Sequence, residues 1–194
     1  MINMNYNDIS TRLARLKEAL TIEERDGESK LMKTVRDKAG TVSFAPQMLP
    51  LLNKVHSDIS ALANMKDHLK KLAKQKGIAQ SIVEEKINSN QELQLLIDLN
   101  NIEKHGTPLN KSRSGFNPIL KYHSISMTIK GSSSGNNYIT LNSSGQISTT
   151  GSKELKFEFG IYNEFGELVN LLSKVIAKCV NEWSKIIEEL SKIE

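Results

Sequence analysis

Ile9, Leu13, Leu16 and Leu20 recur every three or four residues, which lays one apolar stripe along a helix starting near Asn7 or Asp8, either of which can cap it. Charges dominate from Glu23 to Lys38, consistent with continuation of that helix with a more exposed face, and Gly40 with Ser43-Phe44-Ala45-Pro46 marks a break. A second, longer helix is expected from about Pro46 to Gln75 on the stripe Leu52, Val55, Ile59, Leu62, Leu69 and Leu72. Lys70, Lys71, Lys74 and Lys76 load its end, where cations favour the helix dipole, and Gly77 stops it. A shorter helix follows from Ser81 to Ile87. Ser89 or Asn90 then caps another that runs to His105 and is closed by Gly106-Thr107-Pro108.

The pattern changes after His105. Tyr122-His123-Ser124-Ile125-Ser126-Met127-Thr128-Ile129 alternates polar with larger apolar residues, the period of a half-buried strand. Tyr138-Ile139-Thr140-Leu141 repeats it, Asn142-Ser143-Ser144-Gly145 reads as a turn, and Gln146-Ile147-Ser148-Thr149 as the return strand. Leu155-Lys156-Phe157-Glu158-Phe159-Gly160-Ile161 alternates once more. Phe165, Leu168, Leu172, Val175, Cys179, Trp183, Ile186, Leu190 and Ile193 then restore helical spacing, widened by Val169, Ile176, Val180 and Ile187, so the last helix should pack on several others. The predicted fold is α+β: a mainly α-helical bundle of four to five helices with a small antiparallel β-sheet inserted before the C-terminal helix. We expect a single domain over 1–194, with 1–106 helical, 110–162 a β-rich insert and 164–193 the helix that completes the bundle.

Composition sharpens this only slightly. Hydrophobic residues at 38% and charged residues at 25% suit a folded chain, while aromatics at 5% leave the core to Leu, Ile, Val and Met. A net charge of +4 permits an acidic partner without requiring one. The single cysteine, Cys179, excludes an internal disulfide and any multi-cysteine zinc site, and its neighbours Val175, Ile176, Val180 and Trp183 make it a small buried hydrophobe. Met1-Ile2-Asn3-Met4-Asn5 lacks a basic segment leading into an apolar run, and no apolar stretch is long enough to span a bilayer, so the expected location is the cytoplasm.

One motif carries candidate chemistry. On the helix ending at His105, Asp98, Asn101 and His105 fall on one face at i, i+3 and i+7, beside an apolar face of Leu95, Leu99 and Ile102. Imidazole is the side chain best suited to proton transfer near neutral pH. The alternative is structural: Asp98 and His105 tie helix ends together, or His105 caps its own helix. Asp67-His68 on the second helix is expected to approach His105 in a polar cluster. His56 and His68, twelve residues apart and off a common face, do not make a metal pair. The segment Gly131-Ser132-Ser133-Ser134-Gly135-Asn136 lacks the Lys-Ser/Thr of a phosphate-binding loop and reads as a hairpin tip.

The stretch from Asp98 to His105, followed by Gly106, resembles the signature of HEPN-like proteins, in which a helical bundle carries an Arg, a polar residue often Asn, a few variable residues and then His. Asn101 stands at the polar position and His105 at the histidine, but Asn100 occupies the Arg position. The chain also looks like uncharacterised bacterial proteins with a similar helix end, a β-rich segment and a long final helix. The resemblance implies a site assembled across a dimer and independent of metal, with histidine moving a proton and arginine stabilising phosphate charge. Asn100 removes that charge, and many members of the superfamily are non-catalytic.

From Lys104 to Lys153 the chain has no Asp or Glu, yet it carries Lys104, Lys111, Arg113, Lys121, Lys130 and Lys153. Such a stretch can attract phosphate, or it is a Ser- and Asn-rich sheet whose lysines guard the edges. The expectation is a non-catalytic HEPN-like module binding RNA or another protein, with Lys104, Lys111, Arg113 and Lys121 as binding residues and no cofactor or metal. A metal-independent ribonuclease of toxin type would use His105 as acid–base, with Asn101 and Asp98 orienting it. A structural scaffold, possible in a defence system, would dimerise through the wide stripe of the last helix.

Overall fold

The computed structural model describes residues 6–19, 23–25, 32–36, 42–130, 139–141, 147–149 and 152–193. Internal contacts divide the chain into two units, one comprising 1–21, 56–123 and 158–194, the other 22–55 and 124–157. The expected α+β architecture holds, with β-structure preceding a long C-terminal helix.

The first unit is the helical bundle. Helix α1 (Tyr6–Ala19) buries Ile9 and Leu13. The long second helical run is broken in two at Asn64, giving α2 (Met48–Ala63), whose residues up to Val55 belong to the second unit, and α3 (Met65–Gln75), with Val55, Ile59, Leu62, Leu69 and Leu72 of the expected stripe buried. Leu52 is only half-buried, and Leu51 takes the core position. Gly77 stops α3 at φ 70°, a conformation that a side chain disfavours. Helices α4 (Ser81–Asn88) and α5 (Gln91–His105) follow, and α6 (Leu172–Ser191) closes the bundle. Helix α6 packs on α1, α3 and α5, which explains its unusually wide apolar face. Trp183 and Cys179 are fully buried there, as expected of the cysteine.

Helix α5 is the most enclosed element. Every residue from Leu95 to Asn100 is buried, polar Asp98 and Asn100 included. Its N-cap is Asn90, whose Oδ1 accepts from the Leu93 N–H at 2.9 Å. Its C-terminus is Gly106 at φ 65°, with the Gly106 N–H donating to the Ile102 carbonyl at 2.8 Å. Both boundaries agree with the sequence pattern.

Strands β4 (Ile119–Lys130) and β7 (Ser152–Tyr162) each run through both units. A four-stranded sheet has the order β1–β7–β4, where β1 is Glu23–Arg25, and β8 (Leu168–Leu171) also pairs with β7. In the first unit Phe159 and Ile161 point to the buried face, and the Tyr122 ring meets Phe159 edge-on at 6.0 Å. Gly160 lies on the opposite face under the Tyr162 ring. A Cβ there would come within 2.6 Å of Tyr162 Cε2.

The second unit holds two further pairs, β2 (Met32–Arg36) with β3 (Val42–Pro46) and β5 (Ile139–Leu141) with β6 (Ile147–Thr149), both antiparallel. The strands at 139–141 and 147–149 match the alternation seen in the sequence, whereas the turn at 142–145, the tip at 131–136 and Leu20 lie outside the described residues.

Two expectations are corrected. The charged run after Glu23 does not continue α1: it contributes β1 and β2, and the expected break at 43–46 lies in β3. Met32-Lys33-Thr34-Val35-Arg36 finds its backbone partners in the β3 register, from Met32 opposite Pro46 to Arg36 opposite Val42, so pairing overrides the local charge pattern. The C-terminal helix starts at Leu172, not near Phe165. Asn163 Oδ1 accepts from the N–H groups of Phe165 and Glu167, Gly166 adopts φ 81°, and β8 then pairs with β7 before the helix begins.

Candidate functional site

Helix α5 sorts its polar residues between core and solvent. Asp98 is 1% exposed, and its Oδ2 accepts from the Arg113 N–H, the Ser114 N–H and Ser114 Oγ, each at 2.8 Å. This carboxylate pins the 113–114 loop onto the helix, using donors that otherwise lack a strand or helix partner. Asn100 is also buried, and its Oδ1 accepts from Ser60 Oγ of α2 at 2.6 Å. Asn100 is therefore an interhelical tie between α5 and α2.

Asn101 is half-buried and His105 exposed, at the end of the helix. Asp98 and His105 share a helical face in projection but not an environment, because the 113–114 loop closes over the former while the latter lies on the last turn. No hydrogen bond links Asp98, Asn101 and His105 among the described residues. The His68 ring lies under the influence of Arg12, Lys71 and Asp67; burial first, then the two cations, holds its pKa below the ordinary value of 6.5, against the pull of Asp67. Its Nδ1 is buried without a hydrogen-bond partner. His56 of α2 lies 3.2 Å from the Glu103 carboxylate of α5.

The four expected binding cations separate in the same way. Lys104 and Lys111 are exposed. Arg113 was expected to face a ligand, but its Nη1 donates to Glu84 Oε2 at 2.8 Å and to Asn88 Oδ1 at 2.9 Å, so it anchors the loop to α4. Glu84 also receives Lys70. Burial alone would raise the Glu84 pKa, but hydrogen bonds from Lys70 and Arg113 and their charges leave it below the ordinary value of 4.5. Lys121 is exposed on β4, its Nζ 5.5 Å from the centroid of the Tyr162 ring, and His123 Nδ1 lies 2.9 Å from Tyr162 Oη.

Tyr162, His123, Glu84 and Glu158 were not singled out by sequence reasoning. Alternation along 157–162 puts Glu158 and Tyr162 on the face opposite Phe159, a signal present in the pattern but without a chemical partner until β4 brings His123 and Lys121 to Tyr162 and α6 brings Ser173 to Glu158. Among the described residues no three His, Cys, Asp or Glu side chains gather as a metal site, and no helix is long and apolar enough to cross a membrane. Compared with known proteins, the chain matches no family model, no curated protein and no solved structure.

Proposed function

We propose that this chain is a non-catalytic, HEPN-like bacterial module that works in the cytoplasm as a homodimer and binds RNA through Lys104, His105, Lys111 and Lys121. The observation that carries the proposal is the fate of Asp98: its Oδ2 is taken by the 113–114 loop and its Oδ1 is buried with no hydrogen-bond partner among the described residues, so it neither orients the His105 imidazole nor opposes a phosphate. Lys104, His105 and Lys111 are left exposed without polar partners among the described residues. An imidazole with no orienting carboxylate and no arginine beside it is a poor acid–base pair but an adequate phosphate contact.

Fluorescence anisotropy with labelled single-stranded and hairpin RNA, in chelator, tests this. The parent should bind, and the logarithm of its association constant should fall with log[salt] at a slope of about −2 to −3, the value for three or four phosphate contacts on a single strand. Lys104→Glu combined with Lys111→Glu should abolish most of the binding. Absence of binding by the parent would leave protein binding as the function of this surface. Cleavage by the parent but not by His105→Ala would replace the proposal with a metal-independent ribonuclease.

A further inference from the structure

In the first unit, the outer face of the sheet gathers an aromatic ring, an imidazole and a lysine. Strand alternation turns Tyr122 and Phe159 inward, ring against ring, and leaves Lys121 and His123 of β4 beside Tyr162 of β7 on the opposite side. Gly160 explains how the Tyr162 ring lies. A Cβ at Gly160 would come within 2.6 Å of Tyr162 Cε2 and 2.8 Å of Leu168 Cδ1, so these two side chains cover the space that another side chain would fill. The ring is laid along the sheet and pinned at its tip, where Tyr162 Oη is 2.9 Å from His123 Nδ1. Leu168, 46% exposed, forms an apolar rim beside it, and the exposed Lys121 holds its Nζ 5.5 Å from the ring centroid. Glu158, on the same face of β7, is turned to Ser173, and Glu167 to Asn163. Glu164 is exposed on the turn beyond the end of the strand, and Lys121 has no carboxylate partner among the described residues.

We propose that this face is the subsite for one unpaired nucleotide of the RNA, its base stacked on the Tyr162 ring beside Leu168 and its phosphate on Lys121. The inference rests on the RNA reading above and specifies its substrate as single-stranded. A ring already pinned by His123 loses little freedom when a base stacks on it. The contact of an exposed lysine with a ring is weaker than a base–ring stack, so the base takes the place of Lys121 over Tyr162. The ammonium, on its flexible stem, then moves to the phosphate. A flat apolar surface with a cation at its edge suits a ligand that is both aromatic and anionic, which a nucleotide is. A duplex keeps its bases stacked on one another and cannot offer one to this face.

Anisotropy of the full chain with a labelled oligouridylate and a labelled blunt RNA duplex provides the test. Tyr162→Leu should weaken single-strand binding about tenfold, leaving its salt slope and the duplex affinity as in the parent. Tyr162→Phe, which keeps the ring, should bind like the parent. Lys121→Gln should weaken binding and make the salt slope shallower by about 0.7, the value for one phosphate of a single strand. Irradiating the parent with an iodouridine-substituted strand should cross-link Tyr162, located by peptide mass spectrometry, and this needs no variant to fold. A folded Tyr162→Leu variant that binds the single strand like the parent, or cross-links confined to other residues, would overturn the subsite and leave the RNA reading to Lys104 and Lys111. A parent that binds neither RNA removes that reading and the subsite with it.

Discussion

Asp98 and Asn100 are the two buried polar side chains of the described core. A buried carboxylate persists only when its hydrogen bonds offset the loss of water, and Asp98 receives three on one oxygen. Asp98→Ala leaves those donors unpaired and should cost about 2–4 kcal/mol in urea unfolding, with faster hydrogen exchange at the Arg113 and Ser114 amides. A loss under about 0.5 kcal/mol would mean that the loop is held by other contacts. Cys179 makes a different prediction. Burial first, then the charges of Glu92 and Glu182, pushes its thiol far above the ordinary range, so a thiol reagent should react with it only as fast as the protein opens. The sequence showed that Asp98 and His105 share a helical face. It could not show that a loop fifteen residues further on would claim the aspartate alone.

At the scale of elements, the ends of α5 were legible because a cap is local chemistry: Asn90 and Gly106 act on their own helix. Asn90→Ala should cost about 1 kcal/mol, and Gly106→Ala about 1–2 kcal/mol, since alanine must enter the left-handed region; chemical denaturation measures both. Helix α6 begins differently. Its N-cap, Leu171, offers no side chain, and Glu158 of β7 supplies the carboxylate, accepting from Ser173 N–H at 3.3 Å and Ser173 Oγ at 2.6 Å. A cap borrowed from another strand leaves no mark beside the helix, which is why the spacing of Phe165 and Leu168 suggested too early a start. Glu158→Ala should fray the first turn of α6, read as selective loss of exchange protection there, at a cost of about 1 kcal/mol.

Across the molecule, the described groups whose shifts make stability depend on pH include His68, Glu84 and Glu92. The folded-state pKa of His68 is depressed, so the unfolded chain takes up the proton first: stability should fall as pH drops through 6.5 and level off below the folded value. Glu92 is held low by its hydrogen bond from Lys178, against burial, and Glu84 by Lys70 and Arg113. Their contribution is present above 4.5 and is lost as pH falls from there through their folded values. Unfolding free energies over a pH series should therefore decline below 6.5, with His68→Gln removing the part of the decline that begins there and Glu84→Gln reducing the part that begins at 4.5. A parent whose stability stays level until pH falls to 4.5 would count against the burial of His68.

The sequence by itself determined the helical runs of the bundle, the Asn90 and Gly106 ends of α5, the alternating segments 122–129 and 155–161, and the burial of Cys179 and Trp183, because each follows from a local period or a residue acting on its own backbone. Tertiary structure decided which strand each edge found, where α6 began, and which charges stayed free. Met32 to Arg36 became a strand only because Val42 to Pro46 pairs with it, and Arg113 stopped being an available cation only because α4 places Glu84 within reach. Backbone pairing and charge neutralisation both join residues distant in the chain, and a local pattern carries no record of which distant partner arrives.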